Sequence, residues 1–251
     1  MQILNNTYMQ TTIFPVNEWQ RICDDYYTSA PVKKTFSFFT APLTNSVPSI
    51  ELSLLEFFYV VSGKALVMNN QPLKALSHRT FNHWQRYQIL KAQYKRCDCN
   101  LDVLAQFKRY GMDYVTIAGI FKPNRRYDNI TTRSAYIMLN FNELIDIERT
   151  FRQLQNDVFL KPVMLYRSIN GGIVAIMDMG ICELSYHSVA RNLCSYIARE
   201  YHQLSINQRI SQYTCPTFVT YDPNAWLSPE ILSEAGANIA YPERDSLLLA
   251  A

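Results

Sequence analysis

Glycine is scarce in this chain, at seven of 251 residues, which argues against a glycine-rich linker or a solenoid. No self-similarity recurs at a fixed period. Charge of either sign is sparse, at 18%, while 48% of residues are apolar, so the chain is built to bury a core rather than to stay disordered. No apolar run approaches the roughly 20 residues that cross a bilayer. The most apolar stretch, Leu52 to Val61, is short and carries Glu56. No charged segment followed by an apolar one opens the sequence. With six cysteines in a chain too large to need disulfide staples, this predicts a cytoplasmic protein with free thiols and no membrane partner. A Gly-rich phosphate loop ending in Gly-Lys-Ser/Thr is missing, and so is a Gly-x-Ser-x-Gly elbow.

What is present is a mixed pattern. The residues read as a strand at Lys34 to Phe39, then a loop bracketed by Pro42 and Pro48. A helix follows over Ser53 to Val61, where Ser53 and Glu56 have capping-box spacing. Further helices are predicted over Phe81 to Arg96 and over Leu101 to Tyr110, the latter closed by Gly111 as a left-handed cap. A strand at Asp113 to Ala118 leads to the basic loop Lys122 to Arg126, and Ala135 to Leu139 is an apolar run of strand length. Glu143 to Leu154 reads as an amphipathic helix. Val163 to Tyr166 and Ile173 to Met177 flank Asn170-Gly171-Gly172, a turn signal. Leu184 to Tyr201 has the clearest helical period, and Thr217 to Thr220 closes the pattern as a short strand. Interleaved helices and strands with a hairpin predict an α+β fold, a mixed sheet with flanking helices.

Several of these blocks occur together in one known family. Thr35-Phe36-Ser37-Phe38-Phe39 with Pro42, Thr44 and Pro48 resembles its opening strand and loop. Asp113 to Phe121 resembles its strand into a basic loop, and Phe218-Val219-Thr220-Tyr221-Asp222-Pro223 is similar to its closing signature. The ordered set resembles the primase-like N-terminal domain of the virulence-associated protein E family over about residues 33 to 235. Residues 1–32 then read as an N-terminal extension that packs on the domain or frays, and 236–251 as a tail. The resemblance implies a fold related to archaeo-eukaryotic primases. It also implies nucleic acid or a helicase-like replication protein as partner, in a mobile-element setting.

The chemistry the resemblance implies is phosphoryl transfer with two divalent ions held by carboxylates. The family has a strand ending in Asp-x-Asp, two carboxylates on one face because strand side chains alternate. Here those positions are Asn140 and Asn142. The position of a basic residue after the Ser/Gly-rich turn is Val174, Asn207 and Gln212 stand where the family has Asp, and Cys215 stands where it has Arg. Neutralisation at separate places reads as a decayed site, with no cofactor. The enzyme alternative is a nucleotidyltransferase using Mg²⁺ or Mn²⁺ at a shifted site drawn from Glu143, Asp146, Asp178 or Asp222. A third alternative is a purely structural protein-interaction module. For nucleic-acid contact the candidates are Lys122, Arg125, Arg126 and Arg133, with Arg167 across the turn and Tyr127 placed to stack on a base. Lys91, Lys95, Arg96, Lys108 and Arg109 extend the basic surface or form ordinary solvated helix faces. Cys97-Asp98-Cys99 with His78 and His83 has poor zinc spacing and reads as free thiols.

Overall fold

In the computed structural model the described residues are 27, 29–94, 101–142, 144–180, 185–201, 205–206 and 213–234. They form twelve strands in three sheets and six α-helices, an α+β arrangement. The largest sheet has five strands. At its centre lie β7 (Tyr136–Asn142), β9 (Ile173–Asp178) and β8 (Pro162–Arg167), all antiparallel. β10 (Ser205–Ile206) and β12 (Trp226–Leu227) form its edges.

A second sheet has four strands in the order β11 (Thr217–Phe218), β4 (Tyr114–Thr116), β2 (Thr35–Phe39) and β3 (Ile50–Ser53). The third is small. β1 (Val32–Lys33) runs parallel to β6 (Ile130–Ser134), which pairs antiparallel with β5 (Gly119–Phe121).

Both faces of the five-stranded sheet are covered. Ile137, Leu139, Phe141, Ala175 and Met177 face α4 (Ile147–Gln155) and α5 (Tyr186–Glu200) in one core. The opposite face carries Tyr136, Met138, Tyr166, Val174 and Ile176. They share a second core with Phe36 and Phe38 of β2 and with Phe57 and Val61 of α1 (Leu54–Ser62). Double coverage explains why β7, β8 and β9 read as near-continuous apolar runs rather than clean alternations.

The helix signals hold with shifted ends. The Ser53–Glu56 capping box is formed, both halves present. The left-handed C-cap belongs to Gly63, at φ 78°, where an added Cβ would meet the Tyr221 ring at 2.6 Å. Gly111 is instead the last residue of α3 (Leu101–Gly111) and has no positive φ, so its predicted cap role is corrected. The helix expected from Phe81 begins ten residues earlier, as α2 (Gln71–Tyr94). That extra length is docked by the buried Leu73 and by Ser77, which donates to the Val60 carbonyl. The helix expected from Glu143 begins at Ile147, because the Asp146 carboxylate accepts from the Arg149 N–H and caps it. Tyr27 is buried, its hydroxyl donating to the Ala118 and Ser134 carbonyls, so this residue packs against the domain.

Between β8 and β9 the hairpin loop covers residues 168–172 and lies against the end of β7. A Cβ on Gly172 would come within 1.9 Å of the Phe141 carbonyl oxygen. Gly172→Ala is therefore expected to lower unfolding stability by about 1–3 kcal/mol through backbone displacement, measurable by urea denaturation. An unchanged midpoint would show that the turn is free to move off β7.

Candidate functional site

Asn140 and Asn142 lie at the end of β7. Alternation along the strand places both on the face of Tyr136 and Met138, toward the core shared by the two larger sheets. In the register Asn140 sits opposite Val174, and Val174 opposite Tyr166, so the three form one row across β7, β9 and β8. This row and the neighbouring Asn142 carry a physical anomaly. The Asn140 Oδ1, the Asn142 Oδ1 and the fully buried Tyr166 hydroxyl are all buried without a hydrogen-bond partner among the described residues. Burial pushes the Tyr166 phenol far above its ordinary range, so it stays a neutral donor. Native interiors rarely leave such groups unpaired, and each costs about 1–3 kcal/mol when they do.

Carboxylates do not gather there. Asp146 caps α4, on the other side of the sheet. Asp178 sits at the far end of β9, paired with Tyr136 in the register, and faces Lys34 at 3.6 Å. Asp222 is buried, and its two oxygens accept from the Arg167 N–H at 2.6 Å and the Asn224 N–H at 3.0 Å. Burial raises its pKa, and these two backbone donors oppose the shift. Its role is to tie the 221–224 turn to β8, as expected for Asp before Pro. Among the described residues no group of three His, Cys, Asp or Glu side chains is placed to hold a metal ion. Glu143, Asn207, Gln212, Lys95, Arg96, Cys97, Cys99 and His202 lie outside the described residues.

The five predicted basic residues sit in three places. Lys122, Arg125 and Arg126 lie on the loop after β5. Lys122 pairs with Glu51 at 2.6 Å and Arg126 with Asp128 at 3.6 Å, and both side chains stay more than 60% exposed. Arg125 does something else. It donates to the carbonyls of Thr214 at 3.0 Å and Leu43 at 3.4 Å, and its guanidinium lies 5.0 Å from the centre of the Tyr114 ring. It is a tie between loops rather than a displayed cation. Arg133 is half-buried on β6, its Nε without a hydrogen-bond partner among the described residues, beside the Tyr27 hydroxyl. Arg167, at the end of β8, pairs with Glu148.

Two features escaped the sequence reading. Asp113, only 2% exposed, accepts from the Ala41 N–H at 2.8 Å and from the Arg79 Nε at 2.7 and 3.0 Å. His83, one turn along α2 from Arg79, lies 4.0 Å from the same carboxylate. Burial lowers the His83 pKa, Asp113 opposes the shift, and Arg79 and Arg86 reinforce it, so the imidazole is neutral at pH 7. Arg79 lay outside the helix expected from Phe81, and nothing marked Asp113 as a partner of either residue, 30 or more positions away. The second feature is a cleft beside the 168–172 turn, lined by α2 and the 220–224 segment.

No family model, curated protein or solved structure matches this chain. Arg125→Ala is expected to lower stability by about 1.5–3 kcal/mol, the worth of its charged hydrogen bonds to backbone carbonyls. Arg126→Ala should stay within about 0.5 kcal/mol of the parent, as an exposed substitution does. Parallel chemical denaturation of the two variants checks both, and equal effects would remove the structural role assigned to Arg125.

Proposed function

We propose that this protein is a non-catalytic, primase-like domain that binds nucleic acid, with the end of β7 as the remnant of a metal site. The observation that carries the reading is the pair Asn140 and Asn142. They occupy the same-face positions that the family resemblance gives to two carboxylates. They keep buried acceptor oxygens with no protein partner among the described residues. Buried oxygens kept unpartnered at that energetic cost are more simply explained as the residue of a former site than as packing. Val174 in the same cross-strand row supports it, since the position is apolar where a cation would meet a triphosphate.

An asparagine offers a carbonyl oxygen without charge. Two of them beside a triphosphate remove most of the electrostatic hold on a divalent ion, and a hard ion prefers anionic oxygen. Nucleic-acid contact is the function that survives such a loss, because phosphate binding needs placed cations and no metal. On this reading Lys122 and Arg126 are the exposed contacts of the basic loop, and Arg125 fixes the loop's position.

Calorimetric titration with Mn²⁺ and a nucleoside triphosphate tests the proposal. The expected result is no mutually dependent binding of the two. Micromolar binding in which each ligand strengthens the other would overturn it in favour of a nucleotidyltransferase with a shifted site.

A further inference from the structure

Charge is unevenly placed along this chain. Residues 71–111 hold eight Lys and Arg against two Asp and no Glu, a net charge of +6, in a chain whose total is +3, so the other residues sum to −3. Of these charges Lys95, Arg96 and Asp98 lie outside the described residues. The others fall on two helices that pack together, with Tyr87 against Phe107 at 6.2 Å between ring centres. α2 has Lys74, Arg79, Arg86 and Lys91 and no acidic residue in 24 positions, and α3 has Lys108 and Arg109 against Asp102. A basic segment inside an otherwise acidic chain is the electrostatic footprint of a surface for a polyanion.

Some of these cations are used inside the protein. Arg79 is spent on the buried Asp113 carboxylate. Lys108 is half-buried and donates to the Asn170 Oδ1 at 3.0 Å. Lys91 is half-buried beside the 168–172 turn. Lys74, Arg86 and Arg109 differ, since none of them enters an ion pair among the described residues. Arg86 and Arg109 are also exposed.

The core decides which face of α2 is left open. Its buried positions are Leu73, Ser77, Thr80 and Tyr87. The Phe81 and Trp84 rings pack on Tyr221, at 5.0 and 5.4 Å between ring centres. Lys74, His78, Asn82, Gln85, Ile89 and Gln93 recur every three or four residues, so they form one stripe on the side away from those positions. Lys74 is half-buried and the other five are exposed. Arg86, four residues after Asn82, borders the stripe, its guanidinium 5.8 Å from the centre of the Phe107 ring of α3. The face therefore offers amides, an imidazole, an aliphatic side chain and two cations, with no carboxylate to repel a phosphate. At 1.5 Å per residue α2 is about 36 Å long, close to one turn of duplex DNA.

We infer that the open face of α2 binds duplex DNA along the major groove, with Asn82, Gln85 and Ile89 toward the base edges and Lys74 and Arg86 on flanking phosphates. A B-form major groove admits an α-helix, and amide and aliphatic side chains suit its base edges and thymine methyl groups. The deep, narrow groove of duplex RNA does not admit them. Single-strand binders use exposed aromatic faces as stacking platforms, and on α2 the rings of Phe81, Trp84 and Tyr87 are spent on internal packing. This inference rests on the nucleic-acid-binding reading above. It names the partner and adds a contact surface apart from the loop after β5.

The test is fluorescence anisotropy of a labelled DNA duplex two helical turns long, over a range of salt. It uses the full chain, a helix variant (Lys74→Gln with Arg86→Gln) and a loop variant (Lys122→Gln with Arg126→Gln). Loss of two phosphate contacts in the helix variant should flatten the slope of log affinity against log salt by about 1.8. The charge-keeping pair Lys74→Arg with Arg86→Lys should retain the parent slope. If that pair flattens the slope as much as the neutral pair does, the two side chains act through structure and the inference is overturned. The full chain should bind the DNA duplex more tightly than an RNA duplex or a single strand of the same sequence. Equal affinity for either would overturn the groove placement. If the loop variant alone loses affinity, the α2 surface is wrong while nucleic-acid binding stands. If the full chain shows no salt-dependent binding, both fall. If polyglutamate competes as well as unlabelled duplex, the face is a general polyanion surface and the DNA assignment is overturned.

Discussion

The arrangement depends on the burial of both faces of β7, β9 and β8. Once one face is closed by α4 and α5 and the other by α1 and β2, the apolar side chains of these strands enter one core or the other. Buried polar atoms on such strands stand out physically, because each needs a partner from the protein. Asn140 and Asn142 are of that kind, and Tyr166 joins them two strands away. The Gly172 contact with the Phe141 carbonyl closes the same corner, pinning the hairpin turn against the strand end that carries the two asparagines.

The basic residues follow a different logic. A cation on a loop can be displayed or used internally, and charge alone does not say which. Arg125 is spent on carbonyls and a tyrosine ring, whereas its neighbour Arg126 is exposed. The two are adjacent in sequence and identical in type. What separates them is the approach of Leu43 and Thr214 from distant segments.

The same distinction describes how much was legible in the residues. Local signals were readable: the Ser53 capping box, the 168–172 turn, the amphipathic period of α5 and the strand pattern of β7 each depend on neighbours within a few positions. Helix α4 was displaced by four residues because Asp146 caps it, and a first-turn acid and a cap look alike in sequence. The β5–β6 hairpin and the short parallel β1–β6 pair gave no alternation long enough to read. The Asp113–Arg79–His83 cluster joins residues from separate elements, so only the packed chain displays it. The β7 pair was singled out only because the resemblance expects carboxylates at those positions. Its buried, unpartnered oxygens are a tertiary fact.

The central claim is that the end of β7 is a metal position from which the charge has been removed. Restoring the charge tests this directly. The double variant Asn140→Asp with Asn142→Asp should melt below the parent in a chelator, because two carboxylates are then held close together in a part-buried place. Added Mn²⁺ should raise its melting temperature while leaving the parent unchanged, as a ligand that binds only the folded restored site must. A double variant whose melting temperature is the same with Mn²⁺ as with chelator would contradict the account.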